Sequence, residues 1–274
     1  MARTKKIGVF DSGFGGLAIL KDVVRTMPRY DYVYLGDNAR TPYGTRSSAV
    51  VYQFTKEAVD FLFAHGCDLV ILACNTASAD ALRKIQQEYL PKRYSKRRRV
   101  LGVIVQALEE ALERTKNNRI GVIATEGTVA SGTFVRELRA RSPKTQVFQS
   151  SAPLLVPLVE AGEHRSQACA LLLKQYIVPL LKRNIDTLIL GCTHYGHLEQ
   201  QVKKIVGNNA SVISEGPVIA KKLKDYLARH PEVESVLSRT SKCHFYTTDM
   251  SERFRKLGKL FFGRPISPKK ISLA

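Results

Sequence analysis

The chain has 274 residues, 44% of them hydrophobic and 24% charged, a composition that excludes a disordered or low-complexity protein and suits one with a core to bury. Its longest apolar runs, such as Leu69–Cys74 and Leu188–Leu190, are too short to cross a bilayer as helices. Lys and Arg number 43 against 24 Asp and Glu, a net charge of +19, which attracts anions of any size, from nucleic acid to a small dianion.

Met1–Lys6 has neither the apolar core nor the cleavage site of a signal peptide, so a cytoplasmic protein is expected. Ile7–Phe10 reads as a strand stopped by Asp11-Ser12-Gly13, and Leu17–Thr26 as a helix closed by Pro28. Tyr32–Leu35 is a second strand, and residues 36–45 form a loop rich in turn formers. Ala49–Ala64 carries Val51, Phe54, Ala58 and Leu62 at helical spacing, with Gly66 as its stop. Leu69–Ala73 is a third strand ending at Cys74, and Ser78–Tyr89 resumes as helix.

The basic stretch Pro91–Arg99 interrupts this rhythm. Strands follow at Val100–Val105 and Ile120–Ala124, with a helix at Ala107–Thr115 between them. Thr128–Arg141 is helical, Val147–Phe148 is a short strand, and Gln167–Arg183 is a helix that Pro179 should end or kink. Thr187–Gly191 is a strand ending at Cys192. Alternating strands and helices imply a parallel α/β sheet.

Two blocks recur at nearly one spacing: Ile7-Gly8-Val9-Phe10 as Ile120-Gly121-Val122-Ile123, and Val70–Cys74 as Leu188–Cys192. The reading is two similar open parallel-sheet α/β domains, each contributing one cysteine loop. The five cysteines, Cys67, Cys74, Cys169, Cys192 and Cys243, are odd in number, widely spaced and free of CxxC pairs, which argues against a disulfide framework or a zinc site. Cys67, Cys169 and Cys243 read as small buried apolar residues.

Ligands of open parallel sheets bind beyond the carboxyl ends of the strands. Four loops fall there, residues 11–16, 74–78, 125–132 and 192–195, all built of small polar residues, glycines and proton carriers. A cysteine between a strand and a helix N-terminus sits where thiolate and bound carboxylate are both favoured. Two such cysteines suit proton transfer on opposite faces of a carbon acid, one as thiolate and the other as thiol, with Asp11 and His194 beside them.

Two rivals share these residues. Gly13-Phe14-Gly15-Gly16-Leu17-Ala18 fits the loose dinucleotide pattern G-x-G-x-x-A, with Asp37 near the ribose position, but Asp11 would repel a pyrophosphate. His194 and His197 lie near Cys192 without a second ligand cluster, so no metal site is expected. A nucleic-acid-binding protein is the alternative of another class. It would use the basic runs Lys92–Arg99 and Arg253–Lys270, of which the first lacks interleaved aromatics apart from Tyr94. A weak secondary association with nucleic acid stays open.

Asp11–Leu17, Gly36–Gly44, Ala73–Ser78 and Leu190–Tyr195 resemble the signature blocks of the glutamate racemase family, and Gly121–Gly132 and Pro153–Glu160 resemble two further family segments. The resemblance implies two facing domains with the active site in their cleft, residues 1–98 with 208–274 forming the first and residues 99–207 the second. It implies interconversion of L- and D-glutamate without pyridoxal phosphate, metal or other cofactor, supplying peptidoglycan synthesis, in a homodimer. It assigns proton removal from D-glutamate to Cys74 and from L-glutamate to Cys192, with Asp11, His194 and Glu160 assisting. Its substrate-binding positions are Asp11, Ser12, Tyr43, Gly44, Asn75, Thr76, Thr193 and His194, with Thr125 and Thr128 from the Gly-Thr loop. An aspartate racemase is the near alternative. The sequence departs from the pattern at Glu126, Ala152 and Gly196, and it lacks the long N-terminal extension of precursor-activated members, so activation by a cell-wall precursor is not expected.

Overall fold

The computed structural model describes residues 5–94 and 97–273, with the side chain of Arg253 excepted. Residues 1–4, at the amino terminus, and Lys96, of the basic run, lie outside the described residues. The fold is built on two parallel sheets. The first contains β1 (Lys6–Asp11), β2 (Tyr32–Gly36), β3 (Cys67–Leu72) and β4 (Arg99–Gly102), joined late in the chain by β9 (Cys243–Thr247) and β10 (Pro268–Lys270), in the order β10-β9-β2-β1-β3-β4. The second contains β5 (Arg119–Ala124), β6 (Gln146–Ser151), β7 (Thr187–Gly191) and β8 (Ser211–Ile213), in the order β6-β5-β7-β8.

The internal repeat has a topological counterpart. β2-β1-β3-β4 and β6-β5-β7-β8 are the same arrangement. β1 and β5 are the matched inner strands, and β3 and β7 carry the cysteines at their ends. β2, β3 and β7 are buried along their whole length, which is why their sequences are unbroken apolar runs and not alternating ones. Sheet membership sets the crossings between the halves. Arg99–Gly102 pairs with β3, and Ser211–Ile213 pairs with β7, so we place the crossings after residues 102 and 213. Helix Glu215–Arg229 then packs along helix Gly16–Thr26 and ties the returning chain to the first domain.

Several elements differ from the sequence expectation. The strand expected over Val100–Val105 stops at Gly102, and the helix expected from Ala107 starts at Ile104. Gly102 lies hard against Leu82 and Ser78, and the Ser78 hydroxyl accepts the Val103 N–H at 3.3 Å, so the chain turns there. The helix expected from Ser78 begins at Asn75 with Cys74 as its N-cap, breaks at Ala81 and continues through a π-helical turn at Ile85–Tyr89. The helix expected over Thr128–Arg141 is two helices, Glu126–Ala130 and Thr133–Arg141. Gly132, at φ 63°, supplies the left-handed residue between them. Helix Gln167–Leu181 includes Pro179 in its last turn and ends two residues later.

One carboxylate fastens the C-terminal strands to the sheet. Asp31, just before β2, accepts the Thr240 and Lys242 backbone N–H groups at 3.0 and 2.9 Å and the Ser238 and Thr240 hydroxyls. Burial pushes its carboxyl up, but these hydrogen bonds outweigh burial and hold it below the ordinary carboxylate range. A depressed carboxylate stabilises the fold above its unfolded pKa and loses that contribution as pH falls through the folded value. Asp31→Ala is therefore expected to lower unfolding stability in urea at pH 7 by about 2–4 kcal/mol. The deficit relative to wild type should shrink as pH is lowered below about 4, and a constant deficit would count against this account.

Candidate active site

The carboxyl ends of β1, β3, β5 and β7 converge. β1 ends on Asp11, which is 1% exposed; its Oδ2 accepts the Gly13 N–H at 2.9 Å. β3 delivers Cys74, whose Sγ lies 3.3 Å from the Ser12 hydroxyl and accepts the Ala77 N–H at 3.5 Å. The cysteine is thus a helix N-cap, but the helix does not make it a resting thiolate. Burial and the Asp11 charge push the Cys74 thiol up to about 11, against the lowering from Ser12 and Ala77. The expectation of a thiolate-favouring loop is corrected: at 6% exposure, loss of water outweighs the helix end.

β7 delivers Cys192, which is 7% exposed. Its thiol is pushed up by burial and by the charges of Cys74, Asp11 and Glu215, against a hydrogen bond from the His194 backbone. Cys192 Sγ lies 3.9 Å from His194 Nδ1, and His194 Nε2 lies 3.0 Å from Glu160 Oε1. Helix Leu155–Glu160 brings that carboxylate in, so Glu160, His194 and Cys192 form a line. Unlike Cys74, Cys192 is followed by a short 3-10 turn, Tyr195–Leu198, and not directly by an α-helix.

The two loops meet across the cleft. Thr193 Oγ1 donates to Asp11 Oδ1 at 3.4 Å and lies 3.4 Å from His194 Nδ1. Thr76 Oγ1 lies 3.1 Å from Thr125 Oγ1 and 3.3 Å from Thr128 Oγ1, which are themselves 3.0 Å apart. Gly127 N–H donates to Gly44 O at 2.8 Å, joining the loop after β2 to the helix after β5. Tyr43 lies buried beside this contact; its hydroxyl donates to Asp37 Oδ2 at 2.5 Å. Asn75 Nδ2 donates to Glu215 Oε2 at 2.8 Å. These contacts link the Asp11, Cys74, Thr125 and Cys192 loops to one another.

The glycine loop has a structural use that the dinucleotide pattern does not need. A Cβ at Gly15 would collide with the Thr193 side chain and lie 2.7 Å from His194 Nδ1, and one at Gly16 would lie 2.5 Å from Asp11 Cβ. The loop is bare so that the second cysteine loop can close on it. Asp37, the ribose candidate of that pattern, is fully buried and spent on Tyr43, Arg40 and Thr248. His197 stacks edge-on against Phe261 and is pushed down to about 4 by burial. No group of three metal-ligating side chains occurs among the described residues.

Comparison with known proteins decides the family. The model of the Asp/Glu/Hydantoin racemase family matches residues 7–223. The chain belongs to the Asp/Glu/Hydantoin racemase family. It is 38% identical to a protein of Aquifex aeolicus named glutamate racemase, over 96% of each chain. It also matches a solved glutamate racemase from Francisella tularensis, in complex with D-glutamate, at 31% identity and a TM-score of 0.88 over 98% of each chain. A glutamate racemase isoform of Bacillus anthracis matches at 33% identity and a TM-score of 0.89, covering 100% of this chain and 99% of that one. The two-sheet α/β fold and the racemase class are thereby shown.

Within this racemase, sequence reading passed over Glu215. It is 4% exposed and pushed up to about 8 by burial, against the Asn75 hydrogen bond, with Asp11 raising it further. Its signal is invisible in sequence, because a glutamate opening a helix normally serves the helix dipole. The elevated thiols give a direct expectation. In substrate-free enzyme, alkylation of Cys74 by iodoacetamide, followed by peptide mass spectrometry across pH, should rise with a midpoint near 11. A midpoint near the ordinary thiol value of about 8.5 would refute the dominance of burial.

Proposed function

We propose that this racemase interconverts L- and D-glutamate by proton transfer between Cys74 and Cys192. The observation that carries the reading is the pair of buried cysteines just past the matched strands β3 and β7, with Ser12 against Cys74 and Thr193, beside Cys192, hydrogen-bonded to Asp11. Substrate choice is supported by relatives named glutamate racemase and by the Francisella tularensis protein solved with D-glutamate. The D-glutamate so formed would serve peptidoglycan synthesis in the cytoplasm.

The chemistry needs only protons to move. With D-glutamate bound, Cys74 thiolate takes the α-proton: the C–H bond breaks, an S–H bond forms, and the electron pair passes into the α-carboxylate. Cys192 then gives its thiol proton to the opposite face of the carbon, leaving L-glutamate and a Cys192 thiolate. The reverse direction starts at Cys192. A thiol raised by burial is a stronger base once ionised, which narrows the gap to a weakly acidic α-proton. The substrate's ammonium group lies next to the developing charge and stabilises it. Ser12 and Asp11 flank Cys74, and His194, held by Glu160, flanks Cys192. The hydroxyls of Thr76, Thr125, Thr128 and Thr193 and the Asn75 amide supply polar partners for the two carboxylates and the ammonium group.

Circular dichroism of purified enzyme with D-glutamate and no added cofactor should decay to zero. Cys74→Ala and Cys192→Ala should each lower the rate by a factor on the order of 10²–10⁴. In D2O the product should carry deuterium at the α-carbon. Decay with aspartate and not glutamate would keep the mechanism and change the substrate; no decay with either would end the reading.

A further inference from the structure

Glu215 is the one buried acid at this site to which the proton transfer gives no task. It opens helix Glu215–Arg229, which returns the chain to the first domain, and it reaches across to Asn75 in the Cys74 loop. The contact is one-sided. Asn75 Nδ2 is spent on Glu215 Oε2, while Asn75 Oδ1 and Glu215 Oε1 are buried without a hydrogen-bond partner in the protein. Below Glu215 lies a cavity of about 150 Å³ that it shares with Cys192, Thr193 and His197.

Resting on the glutamate racemase reading, we propose that Glu215 is a positioning residue that fixes the Asn75 amide with its nitrogen turned away from the substrate, so that Oδ1 is presented to the substrate's ammonium group. An amide has a donor edge and an acceptor edge on opposite sides of one carbon. Whatever holds the donor edge sets which edge the ligand meets. If the amide were released, its nitrogen could turn inward and present a donor to an ammonium group, a mismatched pair.

The carboxyl performs this in its neutral form. With its proton on Oε1, the neutral carboxyl keeps Oε2 as the acceptor that holds Asn75 Nδ2, and it adds no negative charge beside a substrate with two carboxylates. Burial keeps Glu215 protonated to about pH 8, with Asp11 adding to the effect. The groups around it are Asp11 from β1, Asn75 after β3, Cys192 after β7, Lys21 and Asp22 from helix Gly16–Thr26, and His197 and Glu199 after the second cysteine loop. Asp22 is itself raised by burial, against Lys21 and Arg25. Among the described residues, Lys21 is the one lysine or arginine lining that cavity. Ionisation above pH 8 places charge next to Asp11 and Cys192 and weakens binding of the anionic substrate.

Two variants and two readouts test this. Glu215→Gln keeps an acceptor for Asn75 and cannot ionise; Glu215→Leu has no acceptor. At pH 7, Glu215→Leu should raise KM for D-glutamate at least tenfold with a smaller change in kcat, and Glu215→Gln should recover most of that loss. Between pH 7 and 9 the KM of wild type should climb at least fivefold relative to that of Glu215→Gln. The second readout needs no turnover: the Asn75 side-chain NH2 resonances, assigned by their loss in Asn75→Ala, should shift with a midpoint near pH 8 in wild type and stay fixed in Glu215→Gln. A Glu215→Leu enzyme with wild-type KM, or Asn75 resonances that ignore pH, would overturn the proposal. If wild type fails to racemise glutamate while the resonances still titrate, the substrate reading falls and the positioning of Asn75 by Glu215 stands.

Discussion

Removal of water from two thiols is the constraint on which the rest of the site depends. Cys74 and Cys192 follow β3 and β7 and are only 6% and 7% exposed. Burial raises both thiols, reversing what a helix N-terminus would do to an exposed one. The cost is a small equilibrium fraction of thiolate. On the proposed mechanism, the gain is a base of higher intrinsic strength facing a weak carbon acid in a medium where charge interactions are strong.

Closure in turn dictates the loops. Gly15 and Gly16 have no side chain because Thr193, His194 and Asp11 occupy the space a Cβ would need. Gly127 approaches the Gly44 carbonyl so closely that a Cβ would lie 2.8 Å from it. The contacts that close the site are short-sided, hydroxyl to hydroxyl or backbone to backbone. Such contacts hold two domains together over a small polar ligand without a large side chain filling the ligand's place.

The two cysteine loops were legible in the sequence because each follows an unbroken apolar strand, and that pattern survives burial. So were β1, β2, β5 and the repeat that relates β1 to β5 and β3 to β7. The helix starts at Glu126 and Asn75 were not, because both turn on hydrogen bonds to Thr125 and Cys74 side chains that local spacing does not reveal. The C-terminal segment from Glu215 onward was placed only by resemblance, since β9 is partly exposed and carries no unbroken apolar run, and β10 is Pro-Lys-Lys. Glu215 was missed for a related reason: its role depends on Asn75, a residue far away in the chain. The direction of the thiol shifts was also illegible, because a sequence shows the helix end that lowers a thiol but not the burial that raises it.

The proton inventory of the closed site fits an anionic amino acid. Asp11, Glu215, Cys74 and Cys192 are all displaced toward their neutral forms, each chiefly by burial. An empty site with four ionised groups at this depth would repel a substrate bearing two carboxylates; one that holds its protons does not. The chain's net charge of +19 acts outside this shell, drawing anions inward over distances that salt screens beyond about 10 Å at 0.1 M ionic strength. Inside, the proposed mechanism requires one charge, the thiolate that would start each turnover. The substrate's own ammonium group is placed to offset it, so the reactive charge pair is completed only when an α-amino acid is bound.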